Sequence, residues 1–316
     1  MQGKKIKKLF ALVLASVMLC GCQQTKPTEG DDTEQPIADK KQEGLLGGTV
    51  STEDLLYQPS QEEFLSMKGF IDYLPKAMLS GVKEDGSFFH LSNVGDHTVM
   101  QGGCSDGTYM YLVLENNSEK TDIITKVDMS TWEIVKQSEP LLLHHGNGMG
   151  YNSKTNELFV SHNTGAPKEV SVIDPDTLTI KRTFSLEYGI SGICYNEKRD
   201  CYVIGLSGMS SFAVLDSNFV ELGYYDGHNI GLANQSISCD DDYIYVGNSG
   251  VTTNPGVEVV KIYNWMGEYQ GIFRVDSVSE QEAFIPINGK NYITFYTGNG
   301  GRVYEIDIDY SKLKEK

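Results

Sequence analysis

The sequence contains no motif for a structural metal or a bound nucleotide. Six cysteines are present, but none stands in a Cys-x-x-Cys motif or in a cysteine and histidine pattern that binds zinc. The glycine-rich segments 247–256 and 297–301 match neither a P-loop nor a dinucleotide-binding fingerprint, because no helical pattern follows them. Zinc-finger modules and nucleotide-binding folds are therefore excluded, and no single motif indicates a catalytic activity.

Positive charge is also scarce. The chain has 26 lysine and arginine residues against 43 aspartate and glutamate residues, which gives a formal net charge of −17. Such an excess of negative charge argues against binding to nucleic acid and against direct binding of the protein surface to anionic lipid. We expect no nucleic-acid partner, and the sequence favours a monomer.

No hydrophobic run is long enough to cross a membrane, but the chain begins with the pattern of an export signal. A lysine-rich start (residues 4–8) precedes an apolar stretch from Leu9 to Leu19, which is too short for a spanning helix. The stretch LCGC that ends at Cys22 resembles the lipobox of bacterial lipoproteins. That resemblance implies a diacylglyceryl group on Cys22 and a lipid-anchored position on the extracytoplasmic side of a bacterial cell membrane. An ordinary secretory signal is the alternative.

Two segments separate the signal, residues 1–21, from the repeats. Residues 22–50 are polar, rich in proline and glycine and nearly free of aromatic residues, which predicts a disordered acidic tether. Residues 51–84 contain SQEEFLSMKGFIDYLPKAML, in which Ser60 and Glu63 fit a capping box before a helix. We predict a helical extension that packs on the outside of the repeat domain.

The rest of the chain, residues 85–316, lacks helical periodicity and repeats one unit five times. Each unit reads as four short strands, with small residues in the first strand and aromatic or β-branched residues in the second. An Asp or Asn recurs in the tight turn before the fourth strand at intervals of 42 to 48 residues, which is the length of one propeller blade. These turn residues are Asp128, Asp174, Asp216, Asn264 and Asp307.

The repeats predict an all-β propeller with five blades of four strands. They resemble the YVTN/NHL-like propeller repeats of exported bacterial proteins, a resemblance that implies the fold and says little about activity. The last unit ends after its third strand, near residues 307–310, and the segment GSFFHLSN at 86–93 precedes the first unit. We expect this segment to supply the missing outer strand and close the ring. A sixth, degenerate blade within residues 51–83 is the alternative.

Four cysteines follow the signal. Cys104, Cys194 and Cys239 occupy the same position, the end of the innermost strand, in three different blades. Because packed sheets lie about 10 Å apart, whereas a disulfide needs Cα atoms within about 7 Å, we predict that these cysteines are small packing residues. A disulfide between Cys194 and Cys201, which face each other across one hairpin, is the alternative.

The histidines mark one face of the predicted ring. Five of the six fall in loops that lead into the inner strands or join the second strand to the third, and these two sets of loops share a face. Polar residues predicted at the start of the inner strands lie beside them at the mouth of the channel. The candidate ligand-binding residues are His97, Gln101, His144, His145, Asn147, His162, His228, Gln235 and Glu282.

Two classes of function fit this face. The first is non-catalytic binding of a small molecule, a saccharide or a protein, which the 18 tyrosines of the chain favour. The second is a metal-dependent lyase or hydrolase that resembles streptogramin lyases or lactonases. In it His97 or His145 would act as the base and Glu282 would help to hold a divalent metal. Because the sequence assigns no metal ligands, binding is our prediction, and a water-filled channel with ordinary loop histidines is the remaining alternative.

Overall fold

The computed structural model of the protein describes residues 77–81, 83, 86–208, 210–227, 229–250, 258–275, 277, 279–298 and 300–313. Within these residues the chain forms strands and one 3₁₀ turn, Tyr310–Leu313. No helix of this part is long and apolar enough to cross a membrane. The predicted signal, the tether, most of the predicted helical extension, Cys22 and His228 lie outside the described residues.

Four blades are four-stranded antiparallel sheets in which each strand pairs with its neighbour in sequence. The first blade consists of β3 (Val99–Ser105), β4 (Tyr109–Asn116), β5 (Thr121–Asp128) and β6 (Glu133–Gln137). The second consists of β7 (Gly148–Asn152), β8 (Glu157–Ser161), β9 (Glu169–Ile173) and β10 (Ile180–Ser185). The third consists of β11 (Ile190–Asn196), β12 (Cys201–Leu206), β13 (Phe212–Asp216) and β14 (Glu221–Tyr225). The fourth consists of β15 (Ala233–Cys239), β16 (Tyr243–Ser249), β17 (Glu258–Asn264) and β18 (Tyr269–Val275).

The fifth blade joins the two ends of the described chain. Its first three strands, counted from the axis, are β19 (Glu280–Ile287), β20 (Lys290–Tyr296) and β21 (Gly301–Asp307). The short strand β2 (Phe89–Leu91) pairs with the first part of β21, which confirms that the segment before the first repeat closes the ring. The prediction of helix up to residue 84 is wrong at Met78–Ser80, which form β1 and pair with the second part of β21. An unpaired edge on β21 explains the difference, because β1 satisfies backbone groups that a helix would leave open.

The ring is held together by apolar clusters between neighbouring blades. Each inner strand contacts the next one, and β19 contacts β3, so five blades complete the circle. Five large clusters of buried side chains lie between adjacent sheets. The inner strands approach so closely that a Cβ on Gly148 would lie 2.3 Å from the Cα of Gly192. Small residues in the inner strands are therefore a packing requirement at the axis.

In the first four blades the recurring Asp or Asn caps the turn before the outer strand, as predicted, whereas Asp307 is the last residue of β21. In the second blade, Oδ1 of Asp174 accepts hydrogen bonds from the backbone N–H groups of Asp176 and Thr177 at 3.0 and 2.8 Å. Asp216 and Asn264 make the same kind of contact in the third and fourth blades. The side chain thus replaces backbone hydrogen bonds that the tight turn leaves unmade.

Candidate functional site

The structure places four of the five predicted histidines on one face of the ring. His97, His144 and His145 lie in loops that lead into inner strands, and His162 directly follows β8. The face that carries these loops is called the histidine face below. Its four histidines do not form one cluster, because their side chains contact three separate groups of residues.

His97 makes a structural contact. Its Nε2 lies 3.1 Å from Oγ1 of Thr121, and its Nδ1 lies 3.3 Å from the carbonyl oxygen of Val94. The backbones of His97 and Val94 also exchange two hydrogen bonds. Only 6% of His97 is exposed. Its imidazole therefore holds the loop before β3 in place and is not free to act as a base.

His145 turns toward a buried carboxylate. Its Nδ1 lies 2.8 Å from Oε2 of Glu115, which stands near the end of β4 and has no exposed surface. The same oxygen accepts a hydrogen bond of 3.4 Å from the side-chain amide of Gln101. The structure therefore brings His145 and Gln101 together through Glu115, a residue that was not among the predicted site residues.

Polar side chains close the channel on the histidine face. Nδ2 of Asn147 donates hydrogen bonds to the carbonyl oxygens of Ser191 at 2.6 Å and Gln235 at 3.2 Å, which connects the second, third and fourth blades. The amide of Gln235 donates in turn to Oε1 of Glu280 in the fifth blade. The contacts of Asn147 and Gln235 thus link four blades around the axis, where these side chains form a polar plug.

Carboxyl groups gather at this plug. Burial raises the pKa of Glu282 well above its usual range, and the neighbouring Glu280, Glu258 and Glu115 raise it further. Burial also raises the pKa of Glu258 to about 7, although hydrogen bonds from Gln281 and other donors oppose the shift. The buried position of Glu282 therefore favours the protonated, uncharged form of its carboxyl group.

His144, His162 and Glu169 form a separate group on the same face. Their donor atoms all lie within 4.8 Å of one another, and this is the group of described residues that can hold a metal ion. Nδ1 of His162 lies 3.4 Å from Oε2 of Glu169, and the two imidazole rings lie 5.4 Å apart between centroids. Burial and then the nearby His144 lower the pKa of His162 to about 4. His162 is therefore neutral near pH 7, the form that binds metals.

A large cavity opens at the other end of the channel. Its volume is about 760 Å³, and it lies on the face that carries the hairpin turns 106–108, 197–200, 240–242 and 288–289, called the turn face below. Tyrosine rings, thiols and five acidic side chains line it, whereas none of the predicted site residues does. The acidic lining residues are Asp106, Glu197, Asp240, Asp241 and Asp242.

Three cysteines line this cavity, and all four described cysteines are free thiols. The Sγ atoms of Cys194 and Cys239 lie 3.3 Å apart across two blades. The prediction that these cysteines are packing residues is confirmed, because all three are free and they lie in the apolar clusters between blades. The alternative pairing fails since Cys194 stands opposite Val203, two residues away from Cys201.

Sequence reasoning missed five buried or partly buried acidic residues on the histidine face. They stand where an apolar strand begins or ends, and this position in an otherwise apolar strand is the signal that could have found them. For Asp122, burial and the nearby Glu115 raise the pKa to about 7. The five residues are Glu115, Asp122, Glu169, Glu258 and Glu280.

Comparisons with known proteins support the fold. No protein-family model and no curated protein matches the chain. The glutaminyl cyclase of Myxococcus xanthus is similar in structure, with a TM-score of 0.52 and 13% sequence identity over 75% of this chain and 98% of that one. Hydrazine synthase of Kuenenia stuttgartiensis shares 13% identity at a TM-score of 0.41, over 68% of this chain and 59% of that one. At 13% identity, the likeness to the glutaminyl cyclase shows the propeller fold alone.

Proposed function

We propose that the protein is a lipid-anchored extracytoplasmic lipoprotein whose propeller binds a cationic ligand with an apolar body, without catalysis. The observation that carries this proposal is the cavity of about 760 Å³ on the turn face. Its volume falls in the range of small-molecule sites, about 300–1,000 Å³. The predicted anchor on Cys22 and the tether at 22–50 would hold the propeller clear of the membrane surface.

The chemistry of the lining favours a cation. Five acidic side chains line the cavity, and Lys290 is the one basic residue among the described residues that line it. Two of the acids are held in fixed positions: Tyr111 donates its hydroxyl hydrogen to Oδ2 of Asp106, and Tyr245 does the same to Asp240. Aromatic faces attract cations and also pack against apolar groups. An amine with an aromatic or aliphatic body therefore matches both halves of the lining.

Binding can be tested with a matched pair of probes. Phenethylamine carries a cation on an aromatic body, whereas phenylacetate carries an anion on a similar body. We expect the full chain to bind the amine and not the acid in isothermal titration calorimetry. The double change Glu197→Gln and Asp241→Asn should weaken amine binding roughly tenfold, about 1.4 kcal/mol, because it removes two of the five lining charges.

The exposed Glu133 on the outer strand β6 provides the control for this experiment. Glu133→Gln removes one negative charge, as does each of the two substitutions in the cavity lining, but Glu133 lies outside the cavity. The affinity of this variant for phenethylamine should therefore stay unchanged. Equal binding of both probes, or an equal loss of affinity in Glu133→Gln, would contradict the proposed ligand class.

The lipid anchor can be tested independently of the ligand. Cys20 and Cys22 are separated by one glycine, but the lipobox resemblance assigns the lipid to Cys22 alone. In bacteria grown with labelled palmitate, we expect Cys22→Ser to lose the label and to leave the membrane fraction. The matched variant Cys20→Ser should keep both. If both variants stay labelled, or neither the wild type nor Cys20→Ser is labelled, the anchor is not on Cys22.

A metal-dependent lyase or hydrolase is the second candidate, because His144, His162 and Glu169 offer the donors of a metal site. Of the bases expected for it, His97 contacts Val94 and Thr121 through its two ring nitrogens, whereas His145 contacts Glu115 through Nδ1, an arrangement in which a carboxylate orients a histidine base.

A further inference from the structure

The fold fixes three donor residues around one point on the histidine face. His162 and Glu169 stand opposite each other at the ends of β8 and β9, and the backbone N–H of His162 donates to the carbonyl of Glu169 at 3.1 Å. His144 approaches from the preceding loop, where its own N–H donates to the carbonyl of Lys120 at 3.1 Å. Its φ of 62° lies in the left-handed region, which non-glycine residues seldom adopt. Backbone contacts therefore hold all three donors in place.

The imidazole of His162 has one satisfied and one unsatisfied nitrogen. Nε2 lies 2.8 Å from Oγ of Ser171, and that hydroxyl lies 2.8 Å from Oγ1 of Thr183. Nδ1 is buried, and no hydrogen bond from the described residues reaches it. If Nε2 carries the proton and donates it to Ser171, the lone pair of Nδ1 points toward Glu169. Metal-binding histidines have this arrangement, with the other ring nitrogen donating to a supporting group.

We propose that His144, His162 and Glu169 bind one zinc ion. Two donors at about 2.0–2.1 Å from a tetrahedral zinc lie about 3.4 Å from each other. The measured separation of 3.4 Å between Nδ1 of His162 and Oε2 of Glu169 has this value. Two imidazoles and one carboxylate form a donor set that zinc accepts. Because all donor atoms lie within 4.8 Å of one another, a small movement of the His144 side chain is enough to complete the site.

The site has an open coordination position. Three protein ligands leave a tetrahedral zinc one ligand short, and that position is filled by water or by an external donor. The side chain of Glu169 is 43% exposed, whereas that of His162 is 3% exposed. Solvent therefore reaches the metal from the side of Glu169. The site can therefore accept an external ligand, and it lies on the face opposite the turn-face cavity.

Metal content provides the first test. The full chain, loaded with zinc and passed through gel filtration, should retain about one zinc per chain, the number one such site holds, as measured by elemental analysis. Glu169→Gln should lower zinc affinity at least tenfold, and Ser171→Ala should lower it by about 10- to 100-fold through loss of the supporting hydrogen bond. The control His90→Ala removes an exposed histidine from β2 and should leave the zinc content unchanged.

Glu169→Gln is the decisive variant, because its partly exposed side chain can be changed without opening the core. Equal zinc content in the wild type, Glu169→Gln and His90→Ala would overturn the proposal, as would a wild type that retains no zinc after loading. Cobalt substitution then tests the open position. Addition of azide should change the visible spectrum of the cobalt form, and an unchanged spectrum would overturn the claim that an external ligand can bind.

Discussion

Glu282→Gln is expected to stabilise the protein at pH 8 and to have little effect on its stability at pH 4.5. Glu282 is 2% exposed, and the carboxyl groups of Glu280, Glu258 and Glu115 surround it. Burial and these neighbours raise the pKa of Glu282 well above the 4.5 of an unperturbed glutamate. The folded state therefore keeps a proton that the unfolded chain releases into water.

The sign of the effect follows from proton linkage. Below pH 4.5, the carboxyl group is protonated in both the folded and the unfolded state, so proton binding at Glu282 does not change the free energy of unfolding. Above that pH, the unfolded chain ionises while the folded protein does not, so stability is lost by about 1.4 kcal/mol for each pH unit until the folded pKa is reached. Glutamine has a similar shape and does not ionise, so the unfolding free energy of the variant does not fall with pH through this residue.

Denaturant unfolding at pH 4.5, 6, 7 and 8, with EDTA present throughout, measures the effect. The difference in unfolding free energy between Glu282→Gln and the wild type should grow steadily with pH. Glu133→Gln, which changes an exposed glutamate of β6, should keep the pH profile of the wild type. Parallel profiles for Glu282→Gln and the wild type would mean that Glu282 is ionised in the folded protein and that a bound cation compensates it.

The fold could be predicted from the sequence because the contacts that form each blade lie within one repeat. Asp174 and Asp216 fix the same turn in successive blades through local hydrogen bonds, and their spacing alone counts the blades. The closing strand was predictable for a related reason, since the last repeat lacks one strand. The strand at Met78–Ser80 could not be predicted, because its sequence fits a helix. It is extended only because it pairs with the free edge of β21.

The candidate sites were less predictable because they depend on contacts between repeats. Glu169 meets His162 only through the register of β8 and β9, which a seven-residue loop connects. The position of the cavity follows from side-chain size along the inner strands. Asn147 and Gln235 fill the channel on the histidine face, whereas Cys194 leaves space at the opposite end. Both ends carry small or polar residues, so the pattern of the repeat alone does not show which end is open.

Leu91→Ala is expected to destabilise the protein by about 2–5 kcal/mol, the usual cost of removing a buried leucine side chain from a core. Leu91 belongs to the short closing strand β2, has no exposed surface and packs in the cluster between the fifth and first blades. Three residue pairs join β2 to β21, and Leu91 and Phe89 anchor the strand in this cluster. Its loss should loosen the junction between the two ends of the chain.

The neighbouring His90 supplies a matched control, because alternate residues of a strand point to opposite sides. His90 is exposed on the same strand, and His90→Ala should change the unfolding free energy by no more than about 0.5 kcal/mol, as surface substitutions generally do. Urea unfolding of both variants followed by tryptophan fluorescence measures the two values, since Trp132 packs against Phe89 of the same strand. If the two variants lose equal stability, the packing of β2 on the first blade does not close the ring, and β1 must carry that role.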